Sequence, residues 1–402
     1  MKRFVYADNA ATTPLSETAF EAMKPWMTEY FGNPSSLYRI GREAKMALNE
    51  ARTTVGKCLH AAMPVNEAND YAPGEIIFTG GGSQADNLAI RGFMHGPTAR
   101  GRKHLITSKI EHHAVLYTCE ALEKEGFRVT YLDVDEYGRV DLEQLKRELS
   151  EDTALVSIMA ANNEIGTIQP LREIAALAHA VGAKFHTDAV QAVGHMHIDV
   201  QEMGIDMLSL SAHKFRGPRG TGVLYLKKGI ALEPLVYGGG QERGLCSGTE
   251  NTAGCIGLAA AMKDAVEGLD EKMGYVKKLT DRLVAGIMER IPYTHYTGDP
   301  VNRLPGTASF VFEAIEGEGL ILMLDNMGVC GSLDPSHVLM AIGLPHEIAH
   351  GSLRLTLGEQ NTEEDVDYLI ETVADVVATL RSMSPVWENG KPNLTAASNL
   401  HA

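Results

Sequence analysis

Between residues 75 and 227, short apolar runs rich in Val, Ile and Leu alternate with stretches whose apolar residues fall three and four apart. A run apolar at every position suits a strand covered on both faces, and the wider spacing suits a helix lying on that strand. The alternation therefore predicts βαβ units feeding a mainly parallel sheet. Strands are expected at 75–79, 104–108, 128–132, 155–160, 184–187, 207–210 and 222–226, with helices at 83–95, 114–125, 142–149 and 171–181. Beyond Gly254 the texture changes to a long helical run ending near Arg290, followed by apolar strands at 308–312 and 353–357 with helices between them. Thr362-Glu363-Glu364-Asp365 supplies an N-cap and an acidic first turn for a closing helix over 362–383. The expected fold is α/β. A large unit, 31–253, holds a seven-stranded, mainly parallel sheet flanked by helices, and a smaller α+β unit spans 254–384. An N-terminal segment, 1–30, packs with the small unit and against the large one, and 385–402 reads as a disordered tail.

Length agrees with two units, because 402 residues exceed what one hydrophobic core usually organises. The 36 Lys and Arg against 52 Asp and Glu leave a net charge of -16, which disfavours attraction to nucleic acid phosphates or anionic membranes. No apolar stretch is long enough to span a bilayer, and Met1-Lys2-Arg3-Phe4-Val5-Tyr6-Ala7-Asp8 lacks a secretory apolar core. The chain reads as cytoplasmic, so the Asn393-Leu394-Thr395 sequon should never meet the glycosylation machinery. Five cysteines, Cys58, Cys119, Cys246, Cys255 and Cys330, are odd in number, scattered and without a CxxC pair, which argues for reduced thiols and against structural zinc. His195-Met196-His197 has no acidic or Cys ligand at a recognisable interval, so no metal site is expected.

Candidate chemistry gathers at strand ends. Ser209-Leu210-Ser211-Ala212-His213-Lys214 closes an apolar strand before the turn Arg216-Gly217-Pro218-Arg219-Gly220. A lysine there, partly desolvated, is suited to imine formation; its ordinary alternative is a solvated side chain. Asp188 tips the strand of Phe185-His186-Thr187-Asp188 and suits a carboxylate that keeps a pyridine nitrogen protonated, the alternative being a helix N-cap. Thr79-Gly80-Gly81-Gly82-Ser83-Gln84 runs from strand into helix and would present N–H groups to a phosphate, or serve only as a turn. His112, in Glu111-His112-His113, offers a flat ring and a proton shuttle, and Asn163, in Asn162-Asn163-Glu164-Ile165-Gly166, a donor to a phenolate; caps or turns are the alternatives. In one parallel sheet these segments would share the carboxyl edge.

With these residues in place, the chain resembles the NifS/IscS group of cysteine desulfurases, within the aspartate-aminotransferase-like fold of pyridoxal-phosphate enzymes. The likeness runs from Tyr6-Ala7-Asp8-Asn9-Ala10-Ala11-Thr12-Thr13 to Ser384-Pro385-Val386-Trp387. It is carried by Phe31-Gly32-Asn33-Pro34-Ser35-Ser36, Ala212-His213-Lys214, Gly239-Gly240-Gln241-Glu242-Arg243-Gly244, Ser247-Gly248-Thr249-Glu250-Asn251 and Gly331-Ser332-Leu333-Asp334-Pro335-Ser336-His337. The resemblance implies pyridoxal 5'-phosphate as cofactor, Lys214 as its Schiff-base lysine, Asp188 as partner of the pyridine nitrogen and His112 as the ring-stacking histidine. It also implies Gln191 and Asn163 near the phenolic oxygen, and Gly82, Ser83, Ser211 and His213 around the phosphate. Thr249 would contact the phosphate from the other subunit, which implies a homodimer. Arg354 and Asn33 would bind the substrate, Arg354 by its carboxylate. The implied reaction converts L-cysteine to L-alanine and passes sulfur through an enzyme persulfide to an iron–sulfur scaffold or another acceptor protein.

One departure bears on that reaction. The family's nucleophilic cysteine stands in a mobile loop reading approximately SSGSACTS, just ahead of the Gly-Ser-Leu stretch. Here Gly328-Val329-Cys330 abuts Gly331, so about nine residues of that pattern are absent. Cys330 corresponds to a position before the loop and reads as a small buried hydrophobe. If the written chain omits the loop, desulfuration stands. The alternatives are a selenocysteine lyase, a β-lyase or an aminotransferase of the same fold, which need no loop thiol, or, if the loop is deleted, an inactive cofactor-binding partner. Cys246 stands where many relatives carry Arg, Gln84 where they carry Glu and Ala212 where Gly is common.

Overall fold

The computed structural model describes residues 3–62, 75–333 and 337–393. In chain order the first unit contains β1 (Val5–Tyr6), α1 (Glu17–Thr28), α2 (Arg39–Cys58), β2 (Ile76–Thr79), α3 (Gly82–His95), β3 (His104–Ser108), α4 (His113–Lys124), β4 (Arg128–Leu132), α5 (Leu142–Glu148), β5 (Thr153–Ser157), α6 (Leu171–Ala180), β6 (Lys184–Asp188), β7 (Met207–Ser211), β8 (Gly222–Leu226) and α7 (Thr252–Val266). There follow α8 (Leu269–Arg290), β9 (Thr294–Tyr296), β10 (Thr307–Phe312), α9 (Gly317–Asn326), β11 (Val329–Cys330), α10 (His337–Ala341), α11 (His346–Ala349), β12 (Ser352–Thr356), α12 (Glu363–Met383), β13 (Trp387–Glu388) and β14 (Lys391–Pro392).

Seven strands form the large sheet in the order β2-β8-β7-β6-β5-β3-β4. Every strand from β7 to β4 runs parallel to its neighbour, and β8 is antiparallel to both β7 and β2. Two reversals leave β2 pointing the same way as β7. The glycine turn after β2 therefore opens on the same edge as the ends of β6 and β7, as ligand sites of such sheets require. Five strands, β2, β3, β5, β7 and β8, are buried at every position, the reason they read as unbroken apolar runs. One face carries α3 and α4, packed through Leu88, Ile90, Phe93, Val115 and Leu122. The other buries Leu48 and Val55 of α2, Ile174 of α6 and Leu258 of α7. A second core joins α8, α9 and α12 to the three-stranded sheet β12-β10-β9.

Three expectations from the sequence are corrected. The helical run from Gly254 to Arg290 is two helices, broken where Gly268 takes φ 70° between Val266 and Leu269. The first of them, α7, buries Cys255, Leu258 and Met262 in the core of the large sheet, so the change of core falls at Gly268 and not at Gly254. The expected disordered tail does not begin at 385, because β13 and β14 pair as a hairpin, with Arg381 over the ring of Trp387; 394–402 lie outside the described residues. The N-terminal segment spans both cores: β1 pairs parallel with β11, while Thr13 and Ser16 donate backbone N–H bonds to the carbonyls of His213 and Arg216.

Candidate active site

At the carboxyl edge of the large sheet lies a cavity of about 680 Å³, lined by Ala10, Ala11, Gly82, Ser83, Asp86, His112, His113, Met159, Ala161, Asn163, Glu164, Asp188, Val190, Gln191, Ser211, His213, Lys214, Leu333, His337 and Arg354. Lys214 follows β7 in a single tight turn, and its Nζ donates to the carbonyls of Ala10 at 2.5 Å and Ala11 at 3.0 Å. Burial, reinforced by the Arg354 charge, lowers its pKa to about 8. About a tenth of the amine is thus unprotonated at pH 7, far more than for an ordinary lysine, which favours a nucleophilic role. Asp188 ends β6; its Oδ1 accepts from Val190 N at 2.9 Å, and burial raises its pKa against the lowering influence of His112 and Lys214.

His112 caps α4 by accepting from Ala114 N through Nδ1 at 3.1 Å, which leaves Nε2 as the nitrogen bearing hydrogen in the neutral ring. Burial lowers its pKa, so neutrality is its ordinary state. The ring that caps α4 also lines the cavity, so capping does not exclude a site role. Arg354 comes from β12, donating from one terminal nitrogen to Asn163 O at 2.9 Å and from the other to Asp8 Oδ1 at 3.3 Å. The amide of Gln191 donates to Ala10 O at 2.9 Å, fixing the same N-terminal turn that Lys214 holds.

The start of α3 forms the other end. Its first N–H groups have no partner within the helix, and Gly82, Ser83, Ser211, His213 and Arg219 surround an adjoining hollow of about 400 Å³. A Cβ on Gly82 would come within 2.6 Å of Val190 Cγ2, so the approach of α3 to the strand end requires glycine. His213 is held by Thr12 Oγ1 at 3.0 Å, and its pKa falls to about 4 through burial and the Lys214 charge. With a helix start, two serines and Arg219 at one end, a carboxylate at the other and an amine between, the donor set suits an elongated anionic ligand bearing a basic ring and an aldehyde.

The structure thus brings together Gly82, Ser83, His112, Asn163, Asp188, Gln191, Ser211, His213, Lys214 and Arg354. It does not bring Asn33 or Thr249 into this chain's cavity. Asn33 is exposed and its Oδ1 accepts from Ser35 N at 2.9 Å, while Thr249 is exposed ahead of α7. His195 and His197 also separate, to Gln191 O and to Asp270. Sequence reasoning missed two buried carboxyl groups, Asp86 in the cavity lining and Glu111. Asp86, 1% exposed, has an Oδ1 without a hydrogen-bond partner, 3.8 Å from His186 Nε2, and burial and Asp188 push its pKa well up. Glu111 accepts from Ser108 Oγ at 2.6 Å, and burial raises its pKa to about 8. Asp86 lies one turn into α3, where only the tertiary fold turns it inward. None of the five cysteines lines the cavity.

A strand-end lysine, a strand-end carboxylate and a helix start on one cavity, in a sheet of this order, define a type of fold that the comparisons place: the chain matches the aminotransferase class-V family over residues 5–369 and belongs to it. It is 50% identical, over 404 aligned positions, to the cysteine desulfurase IscS of Clostridium botulinum, spanning 98% of this chain and 99% of that protein. Since 404 positions exceed the part of the 402-residue chain they span, the relative carries residues where this chain has none. Cysteine desulfurase NifS of Azotobacter vinelandii is 45% identical, over 96% of each chain. A solved structure described as a NifS-like protein superposes with a TM-score of 0.88 at 39% identity, covering 94% of this chain and all of the other. Among the described residues no helix is long and apolar enough to cross a membrane.

Proposed function

We propose that the chain is a pyridoxal-phosphate-dependent cysteine desulfurase that takes L-cysteine to L-alanine and delivers the sulfur to an iron–sulfur scaffold or another acceptor protein in the cytoplasm. The observation that carries this reading is the Lys214 amine, with its pKa lowered to about 8, in one cavity with Asp188, His112 and Arg354, in a chain half identical to proteins bearing that name. The cofactor, when bound, supplies an aldehyde for imine formation and a ring that withdraws electrons from the substrate's α-carbon. Gly82, Ser83, Ser211 and His213 would hold its phosphate, with Thr249 of a second subunit of a homodimer. Asp188 would hold a proton at the ring nitrogen, His112 would stack on the ring, and Asn163 and Gln191 would face its phenolic oxygen. Arg354 binds the amino acid carboxylate through its planar fork. As a free amine, Lys214 would accept the α-proton, and His112 would relay protons.

Borohydride reduction after addition of pyridoxal phosphate should place the label on the peptide containing Lys214, and alanine should appear with L-cysteine. Lys214→Ala should fold without label; a label elsewhere, or unaltered turnover in that variant, contradicts the reading. One observation favours a second reading: with no cysteine in the cavity, a selenocysteine lyase or a β-lyase of the same fold needs none. Alanine formed from selenocysteine but not from cysteine, or keto acid in place of alanine, would support it.

A further inference from the structure

A reaction that removes sulfur from cysteine as a persulfide needs a second thiol, and this chain places none of its own in the lining of its cavity. Cys119 and Cys255 are buried in the two faces of the large sheet's core, and Cys58 and Cys246 pack against the same cores. Residues outside the description contain no cysteine. Cys330 lies in β11, where Ala7 N donates to its carbonyl at 3.0 Å. Two residues later the chain is tied again, Ser332 N to Arg354 O at 3.0 Å and Arg354 N to Ser332 O at 2.8 Å. Gly331 between them is packed so closely that a Cβ would meet Leu355 at 2.9 Å. Bringing Cys330 to the cavity would break the β1–β11 pairing and strain the bridge between Ser332 and Arg354. Burial also raises the thiol pKa of all five, to about 11 for Cys58 and Cys246, which keeps them out of the nucleophilic thiolate form.

Resting on the proposed cysteine chemistry, the geometry points to a sulfur acceptor that is a thiol brought by a second molecule into the cavity that Leu333, His113 and His337 help to line. Its thiolate attacks the substrate sulfur; the S–S bond forms as the Cβ–S bond breaks, and the electron pair of that bond passes to the carbon skeleton, where Cβ is protonated. In sum, L-cysteine and RSH become L-alanine and RSSH. Sulfur is oxidised and carbon reduced by the same two electrons, so no outside oxidant enters.

The test uses the intact, cofactor-loaded protein with L-cysteine below one equivalent per site, alone, with 2-mercaptoethanol, or with reduced unfolded ribonuclease as a protein-borne thiol. Alanine should rise at least tenfold with one of the added thiols, the added thiol should carry the extra sulfur, and the intact mass of the chain should stay unchanged. Stimulation by 2-mercaptoethanol assigns a small thiol, and stimulation by ribonuclease alone a protein acceptor. Cys330→Ser and Cys246→Ser should leave the yield unchanged within twofold. A chain that gains one sulfur atom, or a tenfold loss in either serine variant, overturns the inference while leaving the desulfurase reading intact. Keto acid without alanine in every arm overturns both.

Discussion

Arg354 shows how much one side chain is asked to do. Its guanidinium bonds to Asn163 O and Asp8 while lying on a strand of the second core, so it couples that core to the cavity. Arg354→Lys keeps the charge but loses the planar fork, and the KM for L-cysteine should rise about tenfold or more with a smaller change in kcat, measured by steady-state alanine formation. An unchanged KM would count against carboxylate binding. Glu111 is the complementary case, a carboxyl with no substrate role assigned. Its folded pKa lies above the ordinary 4.5, at about 8, so the native state holds a proton that the unfolded chain releases between those values. Its stabilising contribution is complete below 4.5 and lost as pH rises through about 8, with a slope of up to about 1.4 kcal/mol per pH unit. Glu111→Gln should remove that slope. Thermal unfolding of the two proteins from pH 5 to 9 should show the gap between them changing with pH, and parallel curves would refute the assignment.

At the scale of elements, α2 is fastened to the loop ahead of α7 by one buried ion pair. Arg52 makes two bonds of 2.6 Å to the Glu242 carboxylate and a third to Ile76 O, while Glu242 also accepts from Phe78 N at 2.8 Å. Glu242 itself sits at φ 46°, a left-handed conformation retained because these bonds over-determine it. Removing one partner strands the other charge inside the fold, so Glu242→Ala should cost about 3–5 kcal/mol in denaturant unfolding. A cost under 1 kcal/mol, the value of an exposed pair, would show that the site is wet. The break at Gly268 teaches a related lesson: both sides keep helical spacing, and a lone glycine in such a run does not announce that the halves serve different cores.

For the whole molecule, the exposed apolar side chains Phe20, Met27, Tyr30, Phe31, Leu37 and Tyr38 lie near the N-terminus, in the region that also holds Asn33. Such surface suits a partner subunit, and Thr249, remote from its own cavity, suits the partner's site. Lys214→Ala and Thr249→Ala should each retain cofactor poorly as separate homodimers. Unfolded and refolded together, they should recover borohydride-trappable cofactor, because in a mixed dimer one site has both Lys214 and a partner's Thr249. No recovery, with dimers confirmed by sedimentation, would place Thr249 outside the phosphate site.

The sequence alone determined the alternation of strands and helices, the parallel sheet and the strand-end positions of Asp188 and Lys214, because these follow from local periodicity and from glycine and proline at turns. His112 and Asn163 were legible for the same reason, standing where a strand gives way to a turn. Only the tertiary structure decided that Asp86 lines the cavity while Glu111 is buried, that α7 belongs to the first core, and that Cys330 is tied in a ladder and does not line the cavity. Those properties depend on which distant segment each residue meets, and chain spacing does not encode that contact.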